Sequence, residues 1–175
     1  ILNRMTGVDG VFLKQVQAFG EVERNPIGRV VTIAYYALVD INLVDINEVP
    51  VKPELWATDA QWSKISELPE IGFDHKDIIS TCLKHLIRDA KLSPIGFELL
   101  PEKFTLAQFQ ELYEAIYQTK LDKSNFRKKV KSLNILETLN ELEKNVSHRP
   151  AKLYKFDKKR YHELEKSGFL FDVGV

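Results

Sequence analysis

Apolar positions along this chain change their period near residue 70, from the crowded spacing of strands to the longer repeat of helices. Val11 to Phe19 reads as a strand, with Phe12, Val16 and Phe19 among its apolar positions. Arg29 to Val39 is apolar and β-branched on both faces (Val30, Val31, Ile33, Tyr35, Tyr36, Leu38), which predicts a central strand buried on both sides. Between them, Gly20 to Gly28 is a polar loop carrying Glu21, Glu23, Arg24 and Asn25-Pro26. A tandem pentad follows, Leu38-Val39-Asp40-Ile41-Asn42 then Leu43-Val44-Asp45-Ile46-Asn47, of which one unit ends a strand and the other forms loop. Pro50 and Pro53 extend that loop, and Trp56 and Trp62 are expected as packing anchors. Before all of this, Ile1 to Met5 fits the last turn of a helix stopped by Thr6-Gly7, so Ile1 is expected to stand inside a longer domain.

The helical repeat begins at about Asp74, which suits an N-cap, and runs to Lys91. Ile78, Ile79, Cys82, Leu83, Leu86 and Ile87 form its apolar stripe, expected to pack on the sheet. Ser93-Pro94-Ile95-Gly96 to Pro101 reads as a linker. A second helix, Thr105 to Gln118, can be capped by Thr105 and repeats Leu106, Phe109, Leu112, Tyr113 and Ile116. After a short turn Asp122 can cap a third, Lys123 to Leu133, with Phe126, Val130 and Leu133 on one face and Lys123, Ser124, Asn125, Arg127, Lys128 and Lys131 on the other. Ile135 to Glu141 and Lys152 to Asp157 alternate as strands around a polar tip, 144–150. A short helix from Lys158 to Lys166 and a tail from Phe169 to Val175 complete the pattern.

The order helix, turn, basic helix, strand, basic loop, strand predicts a winged helix-turn-helix and a double-stranded DNA partner. Such a motif lays its second helix in the major groove, where Arg, Lys and Asn bond base edges and phosphates, and the wing reaches neighbouring backbone or minor groove. The candidate DNA-contacting residues are therefore Lys123, Ser124, Asn125, Arg127, Lys128 and Lys131 in the helix, with Lys144, His148 and Arg149 in the wing.

Total charge does not alter this picture, because 25 basic and 25 acidic residues cancel. Its distribution does. Residues 1–100 hold 10 Lys+Arg against 14 Asp+Glu, and residues 101–175 hold 15 against 11. An acidic first part beside a basic second part fits a sensing domain joined to a nucleic-acid-binding one. The single cysteine, Cys82, excludes an internal disulfide and a Cys-based metal site. The four histidines lack metal-ligand spacing, no serine or cysteine lies in a nucleophile motif, and no apolar run approaches the length of a membrane span. A cytoplasmic protein with no cofactor is expected.

A family resemblance rests on Thr6-Gly7-Val8, Ala18-Phe19-Gly20, Arg24-Asn25-Pro26, Gly28-Arg29-Val30-Val31 and Ala34-Tyr35-Tyr36-Ala37-Leu38, then Glu67-Leu68-Pro69 and Phe73-Asp74-His75 before a terminal helix. In that order they resemble the second half of a Nudix domain. Joined to a winged helix, the chain resembles the Nudix-related transcription regulators, and the likeness spans essentially all of it. Pro94-Ile95-Gly96-Phe97-Glu98-Leu99-Leu100-Pro101 and Asn125-Phe126-Arg127-Lys128 are especially similar to the arabinose regulators of the Bacteroides branch. The resemblance implies an α+β chain: the C-terminal portion of a Nudix-type α/β/α sandwich at 1–93, a linker at 94–103 and a winged helix-turn-helix at 104–175. It also implies a homodimer and a small effector, either a pentose sugar such as L-arabinose or ADP-ribose. Glu21, Glu23, Arg24 and Tyr35 are the candidate lining, since carboxylates suit sugar hydroxyls and arginine suits phosphate.

One departure bears on chemistry. A catalytic Nudix box ends in Arg-Glu-hydrophobic-x-Glu-Glu-x-Gly-hydrophobic. Leu2, Gly7 and Val8 match its apolar and glycine positions, but Ile1 falls on the first glutamate and Arg4 and Met5 on the pair. Neither Arg nor Met offers the hard oxygens magnesium needs, and without the metal little neutralises a pyrophosphate. The expected reading is a non-catalytic sensor without a metal. The rival is a Nudix pyrophosphohydrolase for ADP-ribose or a related nucleoside diphosphate, its acidic box upstream of Ile1. A third is a DNA-binding protein whose first domain only holds a dimer together.

Overall fold

The computed structural model describes residues 11–39, 62–144, 146–147, 149–169, 171 and 173. The chain divides into two compact units, 1–84 and 85–175. The pentad repeat from Asp40 onward and Trp56 lie outside the described residues, as do Arg4 and Met5.

In the first unit, β1 (Phe12–Phe19) and β2 (Thr32–Leu38) form an antiparallel hairpin in which Phe12 faces Leu38 and Phe19 faces Thr32. A register shift between Gln15 and Ala18 interrupts the ladder. Ala34 and Tyr36 are buried, whereas Ile33 and Tyr35 on the opposite face are 53% and 52% exposed. The expectation of a doubly buried strand is thus corrected: β2 buries one face, and β1 is its neighbour in the described sheet. An apolar run shows which residues could be covered but not what covers them. The long helix α1 (His75–Leu92) starts in this unit and crosses into the next.

The second unit holds the main core. The last turns of α1 bring Leu86, Ile87 and Ala90 to it, so this part of the stripe packs here instead of on the hairpin. The segment expected as a linker is also packed. Ile95–Leu99 is a 3-10 turn, Phe97 is buried, and the division between units falls at Lys84/His85, well before residue 94. A Cβ on Gly96 would come within 3.1 Å of both Leu112 Cδ2 and Tyr113 Cε2, so glycine lets this turn press onto the next helix.

That helix, α2 (Leu106–Tyr117), begins with a reciprocal cap. Thr105 Oγ1 accepts from Gln108 N at 3.2 Å, and Gln108 Oε1 accepts from Thr105 N at 2.8 Å. It buries Leu106, Phe109, Tyr113 and Ile116 of the face anticipated from the spacing, with Tyr117 in addition, while Leu112 is only partly buried. Next come α3 (Lys123–Leu133), then β4 (Leu136–Leu142), β5 (Lys152–Phe156) and α4 (Lys158–Lys166). A two-residue strand, β3 (Phe104–Thr105), pairs with β5, and β5 pairs with β4, giving an antiparallel sheet in the order β3-β5-β4.

Aromatic rings fill the centre. Phe97 stacks on Phe156 with centroids 4.0 Å apart and lies 4.7 Å from Phe109, which meets Tyr113 edge-on at 5.0 Å and Phe126 at 5.5 Å. The expected tail is not a tail either: Phe171 and Val173 are fully buried, and Phe171 lies 5.8 Å from Tyr113. Phe97→Ala should therefore cost about 3–5 kcal/mol, the range for removing a buried phenylalanine. Denaturant unfolding of the second unit measures it, and a loss under about 1 kcal/mol would refute a core role for this turn.

Candidate DNA-binding surface and effector-binding loop

The surface around α3 is built by local chemistry first. Asp122 Oδ1 accepts from Asn125 N at 2.8 Å, satisfying an amide that the first helical turn leaves open, and Asn134 ends the helix in the left-handed region. Phe126, Val130 and Leu133 point into the core at intervals of four and three residues, which obliges the remaining positions to face outward. Lys123, Ser124, Asn125, Lys128 and Lys131 are exposed and Arg127 is half-buried. An open hollow of about 560 Å³ is lined by Asp122, Lys123, Ser124, Arg127, Lys128 and Lys131. Arg127 Nε is buried there with no hydrogen-bond partner among the described residues. A buried donor left unmatched is costly, and an incoming acceptor would relieve it.

The sheet places the wing beside this helix in sequence and ties it to the helix-turn-helix through β3. Lys103 donates to both carboxylate oxygens of Glu141 at 2.8 Å, and Lys155 is bonded to Glu102, so both flanks of the β3 entry are held by ion pairs. The hydrogen bond from Lys155 holds the Glu102 carboxyl below the ordinary range and raises the lysine. At the tip, Glu143 N donates to Ala151 O at 2.9 Å and Ala151 N to Glu143 Oε2 at 3.1 Å, closing the loop. Lys144 and Arg149 are exposed on it; His148 lies outside the described residues. Lys129, absent from the residues picked out on the helix, is half-buried.

The candidate effector residues sit differently from one another. Glu21 and Glu23 are exposed on the loop after β1. Arg24 is only 5% exposed and is engaged on every side of its guanidinium. Nε donates to Asp74 Oδ2 at 2.7 Å, Nη2 to Asp74 Oδ1 at 2.8 Å and Nη1 to Thr32 Oγ1 at 2.8 Å. This fork-to-fork pairing fastens the loop to β2 and to the residue before α1. Asp74 was expected to cap α1 with its side chain; instead only its main-chain oxygen accepts from the first turn, from Asp77 N at 3.0 Å and Ile78 N at 3.1 Å. The bond from Arg24 holds the Asp74 carboxyl below its ordinary 3.8. Tyr35 projects from the exposed face of β2 and donates to Gln15 Oε1 at 3.0 Å. Among the described residues no helix is long and apolar enough to cross a membrane.

Fold and surface together define a Nudix-like unit followed by a winged helix-turn-helix, and the comparisons agree. Residues 96–156 match the family described as the NrtR DNA-binding winged helix domain. The ADPR responsive transcriptional repressor NtrR of Acinetobacter baylyi (strain ATCC 33305 / BD413 / ADP1) is 30% identical over 151 residues, 86% of this chain and 58% of that protein. This chain therefore spans a little over half the length of that relative. Shewanella oneidensis NrtR complexed with a 27mer DNA superposes with a TM-score of 0.68 at 25% identity, covering 89% of this chain and 68% of that one. A MutT/nudix family protein from Enterococcus faecalis gives a TM-score of 0.51 at 20% identity over 82% of this chain and 61% of its own, a likeness of fold alone. Residues 96–156 thus form a winged helix of the NrtR type, and the chain as a whole is similar to Nudix-related transcriptional regulators.

The Arg24–Asp74 pair generates a test. Asp74→Asn keeps the shape but leaves a nearly buried arginine without its counter-charge, and thermal melting of the first unit should fall by several degrees. The sign with pH follows from the depressed carboxyl. The pair's contribution is complete above the ordinary 3.8 and is lost as pH falls below it toward the lower folded value. Asp74→Asn should show no such acid dependence, and an unchanged melting temperature would mean the clamp contributes nothing.

Proposed function

We propose that this chain is a ligand-responsive DNA-binding transcriptional regulator whose winged helix-turn-helix reads an operator under control of a non-catalytic, Nudix-like sensing unit. The observation that carries the reading is the outer face of α3: a capped second helix presenting Lys123, Ser124, Asn125, Lys128 and Lys131 around an arginine whose buried Nε has no partner among the described residues. Lysines there neutralise phosphates, while Arg127 and Asn125 are suited to base edges. The Shewanella relative solved with DNA supports the same partner. Two copies reading two half-sites fit the helix-turn-helix geometry, so the acting form is a homodimer.

Control requires an effector that binds the two DNA-related arrangements unequally. The Acinetobacter relative is described as ADPR responsive, which supports ADP-ribose. A pentose such as L-arabinose is favoured by a different observation. Arg24, the candidate phosphate ligand, has its guanidinium occupied by Asp74 and Thr32, leaving Glu21 and Glu23 exposed as groups that suit hydroxyls. Hydrolysis is disfavoured by Arg4 and Met5 at the glutamate positions of the Nudix box.

A gel shift with a duplex selected by the wild-type chain from random sequence, with and without ADP-ribose or L-arabinose, tests the whole reading. Release by one compound identifies the effector class. Magnesium-dependent loss of ADP-ribose with no sequence-selective binding would make the chain a hydrolase. Arg127→Ala should cost about 1–3 kcal/mol on the selected duplex and relax preference at one position; Lys131→Ala should weaken all duplexes alike and lower the salt slope by about one. Wild-type affinity in Arg127→Ala would remove α3 as the reader.

A further inference from the structure

The turn that delivers α3 to its surface is held by two side chains of the preceding helix. Helix α2 ends at Gln118, a non-glycine residue in the left-handed region (φ 54°, ψ 34°), whose main-chain N–H donates to Glu114 O. Such a turn has main-chain groups that no helix satisfies and that must find other partners. At Leu121 both are taken up from α2. Its N–H donates to Glu114 Oε1 at 3.0 Å, and its carbonyl accepts from Gln110 Nε2 at 3.0 Å. Gln110 Nε2 also donates to Glu114 Oε1 at 2.9 Å, and Lys120 Nζ donates to Glu114 Oε2 at 2.7 Å. Residue 121 immediately precedes the Asp122 cap, so whatever fixes it fixes where α3 begins.

We propose that Glu114, with Gln110, is a positioning residue for operator recognition: it aims α3 by clamping Leu121 and does not touch DNA itself. The inference rests on the DNA-reading function above. Four observations support it. The Glu114 side chain is 10% exposed although it is charged, while its partner Lys120 is 92% exposed, so the carboxylate is set into the turn and the ammonium closes it from outside. Gln110 and Glu114, four residues apart, share the edge of the helix that borders its buried face, and neither belongs to the apolar core. Donation from Lys120, Leu121 and Gln110 holds the Glu114 carboxyl down to about 2, so the clamp is charged at neutral pH. Finally, α3 has 11 residues, a length of roughly 16 Å at 1.5 Å per residue, so a tilt of roughly 10° at Leu121 moves its far end by roughly 3 Å. That displacement exceeds the tolerance of a hydrogen bond to a base edge. The same geometry separates Lys120 from the other cations of the segment: its ammonium is paired with Glu114 at an exposed position, where such a pair contributes little.

The test uses the full chain as wild type, Glu114→Ala, Glu114→Gln and Lys120→Ala, with the selected duplex and a random one. Glu114→Ala should weaken the selected duplex about tenfold, the scale of one lost base contact, with the random duplex and the salt slope unchanged. Glu114→Gln retains an oxygen for Leu121 N–H and should restore most of the affinity, and Lys120→Ala should bind as wild type. Without DNA, amide exchange at Leu121 should accelerate in Glu114→Ala and stay slow in Glu114→Gln. Wild-type selectivity in Glu114→Ala would overturn the proposal, as would equal losses on both duplexes with a lowered melting temperature. A Leu121 amide still protected in Glu114→Ala overturns the clamp alone. A wild-type chain that selects no duplex overturns the DNA reading, and the aiming role falls with it.

Discussion

Phe97 stacks face to face on Phe156 and at the same time presses on Phe109, and through these contacts the second unit is assembled. One ring comes from the turn after α1, one from the last residue of the wing and one from the first turn of α2. Stacked and edge-on aromatic pairs contribute about 0.5–1.5 kcal/mol each beyond the area they bury. Phe126 of α3 joins the same cluster through Phe109. The basic helix is therefore supported from within through Phe109 and Phe126, two rings almost out of water.

Charge plays two different parts around that core. Lys103–Glu141 and Lys155–Glu102 lie at exposed positions, where solvent and salt weaken such pairs, and they guide the β3 entry more than they stabilise it. Arg24–Asp74 in the first unit has its arginine side chain almost out of water and a bond from each of the three guanidinium nitrogens. A guanidinium so committed is poorly available to a ligand.

Sequence reading captured what is encoded locally. The caps at Thr105 and Asp122, the apolar faces of α2 and α3, and the two wing strands follow from spacing and side-chain chemistry within a few residues, and the structure has them within one or two positions. It failed where the partner is distant. Phe97, Phe171 and Val173 sit in stretches too short to show a period, so a packed turn and a buried end read as linker and tail. Leu86 and Ile87 were visible as apolar, but the spacing could not say against which unit they lie. Arg24 and Asp74 each had a plausible local role, ligand contact and helix cap, and their pairing across the fold outcompeted both. No motif or spacing picks out Gln110 and Glu114; only the turn's main-chain groups at Leu121 give them work.

The arrangement of β3 has a consequence for how the second unit is made. Phe104 and Thr105 pair with Tyr154 and Leu153, so the residue that caps α2 also closes a long loop to the wing. Contacts of such sequence separation must overcome loop-closure entropy before they are rewarded, which makes them late events in folding. Synthesis runs from the N-terminal side, and a nascent chain that stops short of β5 has α2 and α3 without the sheet that joins them. Even one that has completed the wing still lacks Phe171 and Val173, both fully buried in the finished core. The core that receives the inner face of α3 is complete only once those two residues are in place.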